Sequence, residues 1–363
     1  MTTLIYGAYG YTGELIAEEA LQRDLDIVVA GRNGTKTRGL GIQLGVESRV
    51  FEPAETAANL ADIDIVLNCA GPFARTAEPI VEACLDTGTA YLDITGELPI
   101  FEALAARDRD AEEVGIPLLP GIGFEVVPTD CLACHLHDRL PSATHLRLGV
   151  ETDMNFTGGT LASALEYADS DGWIRRGGVL ERVPVASQTR EIDFGNGRRN
   201  ATTAPLPDIS TAYYTTGVEN IETYVALPAP ATRALRYTRQ LSALLRVGPL
   251  KRGLQRLVRA ITSDPTEPER ARGRAYFWGE ATDGNRTVVS RLETPEPYTL
   301  TVDAATTAIE RLEAMETLPT GFETPAVVFD ADYVLELDDV AGFYDDDDEN
   351  RSVTRVEAID TDE

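Results

Sequence analysis

Lysine is nearly absent from this chain. Lys36 and Lys251 are the only two in 363 residues, and every other member of the 32 basic residues is arginine. Cysteine occurs four times, as Cys69, Cys84, Cys131 and Cys134. That usage fits a reduced, cytoplasmic protein better than a disulfide-stapled scaffold. No uncharged apolar run of about 18 residues occurs, so a membrane-spanning helix is not expected. The opening Met1–Gly10 has no basic segment ahead of its apolar residues, and no secretory signal is expected either. Positive charge is also scarce overall: 60 acidic residues leave a net charge of −28. Such a balance argues against a general nucleic-acid binder.

An acidic, lysine-poor surface suits a cytosol of molar salt, where the Debye length falls to about 3 Å and self-repulsion is screened. A halophilic origin follows as an expectation. The hydrophobic fraction of 43% is enough for ordinary cores. The length suits about two domains.

Strand and helix patterns alternate through the first third. Strands are expected at Thr3–Tyr6, Asp26–Ala30, Arg49–Glu52, Asp64–Ala70, Ala90–Ile94 and Pro117–Leu119. Helices are expected at Tyr11–Arg23, Thr35–Leu44, Glu55–Ala61, Thr76–Thr87 and Ile100–Val114. This repetition predicts an α/β Rossmann domain, a doubly wound parallel sheet, over 1–130. A helix over Thr129–Leu140 follows. Then come strands at His145–Thr152, Thr189–Phe194, Ile221–Leu227, Arg274–Ala281 and Thr287–Leu292, and a helix over Thr301–Glu316. Gly195–Gly197 and Asp283–Gly284 are hairpin signals. These predict a second α+β domain over 131–330 on a mainly antiparallel sheet. A strand-like segment is expected over 331–344, and a disordered acidic tail over 345–363.

The first strand runs into Gly7-Ala8-Tyr9-Gly10-Tyr11-Thr12-Gly13, then a helical pattern. Glycines at this spacing allow a tight turn, close approach of backbone to a diphosphate, and close helix–strand packing. The helix start then offers amides and a partial positive charge to the phosphates. Gly7, Tyr9, Gly10, Tyr11, Thr12 and Gly13 are the expected cofactor turn. The second strand ends Ala30-Gly31-Arg32-Asn33. An NAD site usually carries an acid here for the ribose 2′-hydroxyl; Arg32 suits a 2′-phosphate instead. NADP is therefore expected over NAD, with Arg32 and Asn33 at the adenosine end. The fourth strand delivers Ala70, Gly71, Pro72 and Phe73 to the carboxyl edge, where ligands bind. Phe73 either packs near the nicotinamide or fills core.

Together Gly7–Gly13, Ala30–Asn33, Ala70–Arg75, Asp93–Glu97 and Gly121–Asp130 resemble the saccharopine dehydrogenase-like oxidoreductases, in pattern the trans-acting enoyl reductase type. The resemblance continues in Gly158–Ser163, Glu269–Trp278, Tyr298–Thr301 and Gly321–Pro325, to about residue 330. It implies an NADP-binding domain, a second domain that closes over the substrate and often dimerises, and hydride transfer. It also implies that Ala70–Phe73 and Thr95–Glu97 surround the nicotinamide. Gly123-Phe124-Glu125-Val126-Val127-Pro128-Thr129-Asp130 departs from the family's G-F-D-S-V-P-[ST]-D, losing a small hydroxyl.

A tyrosine–lysine dyad four residues apart is excluded, because Arg32 precedes Lys36 and Val247 precedes Lys251 at that spacing. Candidate acids are Asp93, Glu97, Glu125 and Asp130, with Glu97 preferred as catalytic acid and Asp130 read as a helix cap. Tyr167, Tyr213 and Tyr214 are further proton sources. Cys131, Cys134, His135 and His137 crowd one helix, whose geometry favours buried structural cysteines over a metal site. Between Arg233 and Arg259 eight basic residues occur with no acid. That stretch suits a helical pair on the acidic body or at a dimer interface, a peripheral contact with an anionic membrane, or a carrier phosphate. The function expected is an NADP(H)-dependent reductase of a carbonyl or activated C=C in a hydrophobic or lipid-like small molecule. A saccharopine-type amino-acid dehydrogenase and a non-catalytic NADP(H) sensor or scaffold are the alternatives.

Overall fold

The computed structural model describes residues 1–152, 172–184, 186–228, 232 and 266–346. The expected features at Gly158–Ser163, Tyr167, Arg233–Arg259 and 347–363 lie outside the described residues. The chain forms two units: Met1–Cys131 with Pro297–Asp339, and Leu132–Glu296 with Val340–Glu363.

From the N-terminus the elements are β1 (Thr2–Tyr6), α1 (Tyr11–Gln22), β2 (Asp26–Gly31), α2 (Gly34–Leu44), β3 (Glu47–Val50) and a 3-10 turn (Pro53–Asn59). Next come β4 (Ile65–Asn68), α3 (Phe73–Thr87), β5 (Ala90–Asp93), α4 (Leu98–Ala105), α5 (Asp108–Val114), β6 (Pro117–Leu119) and α6 (Val127–Arg139). The middle holds β7 (His145–Thr152), β8 (Gly172–Arg176), β9 (Val179–Val183), β10 (Thr189–Asp193), β11 (Arg198–Thr203), α7 (Asp208–Thr216) and β12 (Asn220–Ala226). After it lie α8 (Glu267–Arg270), β13 (Arg274–Thr282), β14 (Thr287–Pro295), α9 (Pro297–Glu313), β15 (Gly321–Phe322), α10 (Pro325–Phe329), a second 3-10 turn (Ala331–Glu336) and β16 (Phe343–Asp346).

In the first unit the strand order is β15-β6-β5-β4-β1-β2-β3, every pair parallel. All four residues of β4 are buried, as a central strand covered on both faces requires. The chain winds outward from β1 through β2 to β3 and then crosses back to β4 on the other side of β1, so the sheet's switch point lies between β1 and β4. The apolar core on one side of this sheet includes Tyr6, Val28, Val66, Ile80, Tyr91 and Phe101.

Several expectations are corrected here. The expected helix over Ile100–Val114 is two helices, broken where Arg107 ties α3 and α5 together through Glu82 and Asp110. The expected helix at Glu55–Ala61 is a 3-10 turn starting at Pro53. The expected 131–330 domain is not contiguous, because the chain returns to the first unit at Pro297. Helix α9 lies beside α1 and runs the same way: Tyr11 and Tyr298 rings meet edge-on at 5.0 Å at one end, and the Met1 amine reaches Glu313 at 3.4 Å at the other. Arg23 binds the two helices, donating to Glu19 (2.8 Å), Asp303 (2.5 Å) and Glu310 (3.0 Å).

The second unit carries a sheet of order β10-β11-β12-β7-β13-β14-β16, with β8 on β12 and β9 on β8. Among the described residues only the β12–β7 pair of this sheet is parallel. Leu132 and Leu136 of α6 sit on Gly279 of β13. Arg147, Arg190 and Glu280 form an ion-pair cluster elsewhere on the sheet; its arginines outweigh burial and hold the Glu280 carboxyl below its usual range. The segment expected as a strand over 331–344 is instead a 3-10 turn followed late by β16, and Asp345 and Asp346 of the expected tail belong to that strand. Charge pairing explains it: Asp345 accepts from Arg139 (2.8 Å) and His135 (3.0 Å), and Asp346 takes both nitrogens of Arg291 at 2.6 and 2.8 Å.

Candidate dinucleotide site

The glycine turn closes where the sheet switches direction. Gly7 has φ +83°, and a Cβ there would lie 2.8 Å from the Ala70 Cβ. A Cβ on Gly13 would lie 2.7 Å from the Gly7 carbonyl and 2.9 Å from the Ala8 Cα. No side chain fits at either position, so α1 approaches the strand end as closely as backbone allows. Gly7 N–H donates to the Ala30 carbonyl (2.8 Å) and Gly10 N–H to the Gly7 carbonyl (2.9 Å), locking the turn. Gly10 caps α1 and makes no side-chain hydrogen bond to it. A glycine N-cap has no side chain to set against the amides of the first helical turn, which is the arrangement an anion needs.

Tyr9 leaves this turn toward β2 and lies over Gly31: a Cβ on Gly31 would come within 2.5 Å of the ring. The Lys36 ammonium is 5.7 Å from the same ring centre. Arg32 is exposed beside them and has no ion-pair partner among the described residues. Asn33 is less available, since its Oδ1 accepts the Lys36 amide at 3.1 Å and caps α2. On the other side of the turn, Ala70–Phe73 leads into α3. Gly71 and Pro72 are exposed, whereas Phe73 is half-buried and packs with Ala70 on the apolar core.

The candidate acids have partners that bear on their roles. Glu97 accepts the amides of Phe73 (2.8 Å) and Ala74 (3.1 Å), one on each oxygen. Asp93 is fully buried; its Oδ1 accepts the amides of Thr95 and Gly121, both at 2.9 Å, and its Oδ2 the Tyr91 hydroxyl at 2.7 Å. Burial pushes its carboxyl up to about 6, opposed by these hydrogen bonds and assisted by the Glu97 charge. Asp130 does not open α6, which starts at Val127; its Oδ2 instead accepts the Ala326 amide (2.8 Å) near the start of α10. Glu125 is exposed and lies against Gly96, while Val126 is buried in the core. Cys131 is buried, Cys134 half-buried, and His135 stacks on Phe343 at 4.2 Å.

Other residues reach the same edge without a local signal. Thr301 of α9 accepts the Phe124 amide at 3.1 Å, and Tyr298 stands beside Tyr11. They lie half the chain or more away from the residues they touch, so only the return of α9 brings them here. Asn68, read from sequence only as strand, turns its Oδ1 to the Ala70 amide at 3.0 Å.

A parallel sheet of this order, with a turn that excludes a side chain at Gly7 and Gly13 and a glycine-capped helix at its switch point, defines a dinucleotide-binding Rossmann unit. Residues 3–117 match the saccharopine dehydrogenase NADP binding domain. It is 29% identical over 189 residues to a trans-acting enoyl reductase of Mycobacterium ulcerans, covering 46% of this chain and 45% of that one. A trans-acting enoyl reductase of Mycobacterium tuberculosis is 30% identical over 147 residues, 38% of this chain and 35% of the relative. The matches thus span less than half the length of these relatives. The fold is that of apo saccharopine dehydrogenase (L-Glu forming) from Saccharomyces cerevisiae, with a TM-score of 0.63 and 11% identity over 95% of this chain and all of the other. Among the described residues no helix is long and apolar enough to cross a membrane, and no group of three or more metal-ligating side chains occurs.

Proposed function

We propose that this chain is an NADPH-dependent reductase of a carbonyl or activated C=C in a hydrophobic small molecule. The observation that carries it is the turn at Gly7–Gly13, where no Cβ fits at Gly7 or Gly13 and α1 starts close against the end of β1. The names of the enoyl reductase relatives support the direction of reaction. When bound, the nicotinamide supplies the hydride. The chain's residues would do the rest: the Thr12 and Gly13 amides hold the diphosphate, Tyr9 and Arg32 take the adenosine end, and Ala70–Phe73 borders the reacting end. Glu97 is not proposed as the proton donor, because both its oxygens accept loop amides.

Arg32 is the test of NADP preference. Losing a charge-assisted pair to a 2′-phosphate is worth about ten- to a hundredfold in affinity. Arg32→Ala should weaken NADPH binding by that factor and leave NADH binding unchanged, as read by fluorescence titration. Equal weakening of the two would remove the 2′-phosphate role. Oxidation of NADPH, followed by absorbance against apolar enones and ketones, tests turnover; binding without oxidation would favour the sensor alternative.

A further inference from the structure

We propose that Glu97 is a positioning residue: its carboxylate, set by Thr95 and Asp93, holds the Ala70–Ala74 loop where the nicotinamide half of the dinucleotide lies. The proposal rests on the dinucleotide assignment above and adds a division of labour along the edge. Tyr9, Gly31 and Arg32 gather on the β2 side of the glycine turn, which suits the adenosine half. The other half then extends over β4 and β5.

There backbone holds the loops in part, with Arg75 N–H on the Pro72 carbonyl (3.1 Å) and Ile122 N–H on the Asp93 carbonyl (2.7 Å), and carboxylates supply the rest. The Phe73 and Ala74 amides open α3 and have no partner one turn earlier. Glu97 reaches them from the next loop at 2.8 and 3.1 Å. Glu97 is itself fixed, its amide donating to the Thr95 hydroxyl at 3.1 Å. The Thr95 amide donates to the buried Asp93 carboxylate at 2.9 Å, which also takes the Gly121 amide from the loop after β6. Carboxylates therefore link the loops after β4, β5 and β6. A group engaged on both oxygens by amides orients backbone and has no hydrogen directed at a substrate. Such a linked rim meets its ligand already ordered, which saves the entropy of arranging it on binding.

The experiment compares NADPH with adenosine 2′-phosphate 5′-diphosphate, which lacks the nicotinamide half, by fluorescence and calorimetric titration. Glu97→Ala should weaken NADPH about tenfold or more and the fragment less than about twofold. Thr95→Val, a milder change that removes only the hydroxyl under Glu97, should show the same selectivity at reduced size. Amide exchange should show lost protection at Phe73 and Ala74 in both variants. Equal weakening of the two ligands, or unchanged NADPH binding in folded Glu97→Ala, overturns the positioning role while leaving the dinucleotide site standing. Failure of the unmodified protein to bind either ligand overturns both.

Discussion

Asp93 ends β5 with its carboxyl out of water, and that burial raises it to about 6. The unfolded value is about 3.9, so the folded state binds this proton more tightly than the unfolded one. The stability contributed by the protonated form is complete below about pH 4 and is lost as pH rises through about 6. The whole effect is about 3 kcal/mol. An asparagine side chain at this position cannot carry the charge and still offers an oxygen to Thr95 and Gly121. Asp93→Asn should gain on the unmodified protein by up to that amount between about pH 4 and pH 7 in urea unfolding. A difference independent of pH would mean the carboxylate is not penalised by its surroundings. At this scale the sequence was informative about which residues matter and less so about what they do. Asp93 and Glu97 were singled out as possible acids, yet their partners are backbone amides from loops that sequence spacing does not bring together.

The glycine turn belongs to the scale of elements, since it decides how near α1 comes to β1. Replacing glycine by alanine inside a helix ordinarily stabilises by about 1 kcal/mol. At Gly13 the sign should reverse, because the new Cβ would meet fixed backbone at 2.7 and 2.9 Å. Overpacking of this kind costs about 1–3 kcal/mol. Gly13→Ala should lower the melting temperature and weaken NADPH binding at least about tenfold. A stabilised variant with normal binding would mean that α1 does not pack as described. Elements were legible where period and turn chemistry agreed, as in β1, α1, β4, α3 and the Asp283–Gly284 hairpin. They were not legible at β8, β9 and β11, which show no clean alternation, or at α7, whose buried residues are largely polar, among them Asp208, Ser210, Thr211 and Thr216.

The whole molecule carries −28, with 60 acidic residues in 363. In dilute buffer those charges repel across the surface; at about 1 M salt the Debye length is near 3 Å and the repulsion is local. The melting temperature should therefore rise steadily from about 0.1 M to molar KCl, by several degrees. A flat or falling response would show that the surface is already balanced by its arginine pairs.

Composition and local pattern determined the class of fold, the glycine turn, Arg32 at the end of β2 and the acidic character of the surface. Each depends on neighbours in sequence or on totals, which need no knowledge of packing. The return of α9 to the first unit, the hold of Glu97 on α3 and the burial of Asp93 were decided only in three dimensions. Arg23 meets Asp303 and Thr301 meets Phe124 across long stretches of intervening chain. Contacts of that kind follow from which surfaces must leave water together, and no periodicity within either segment records them.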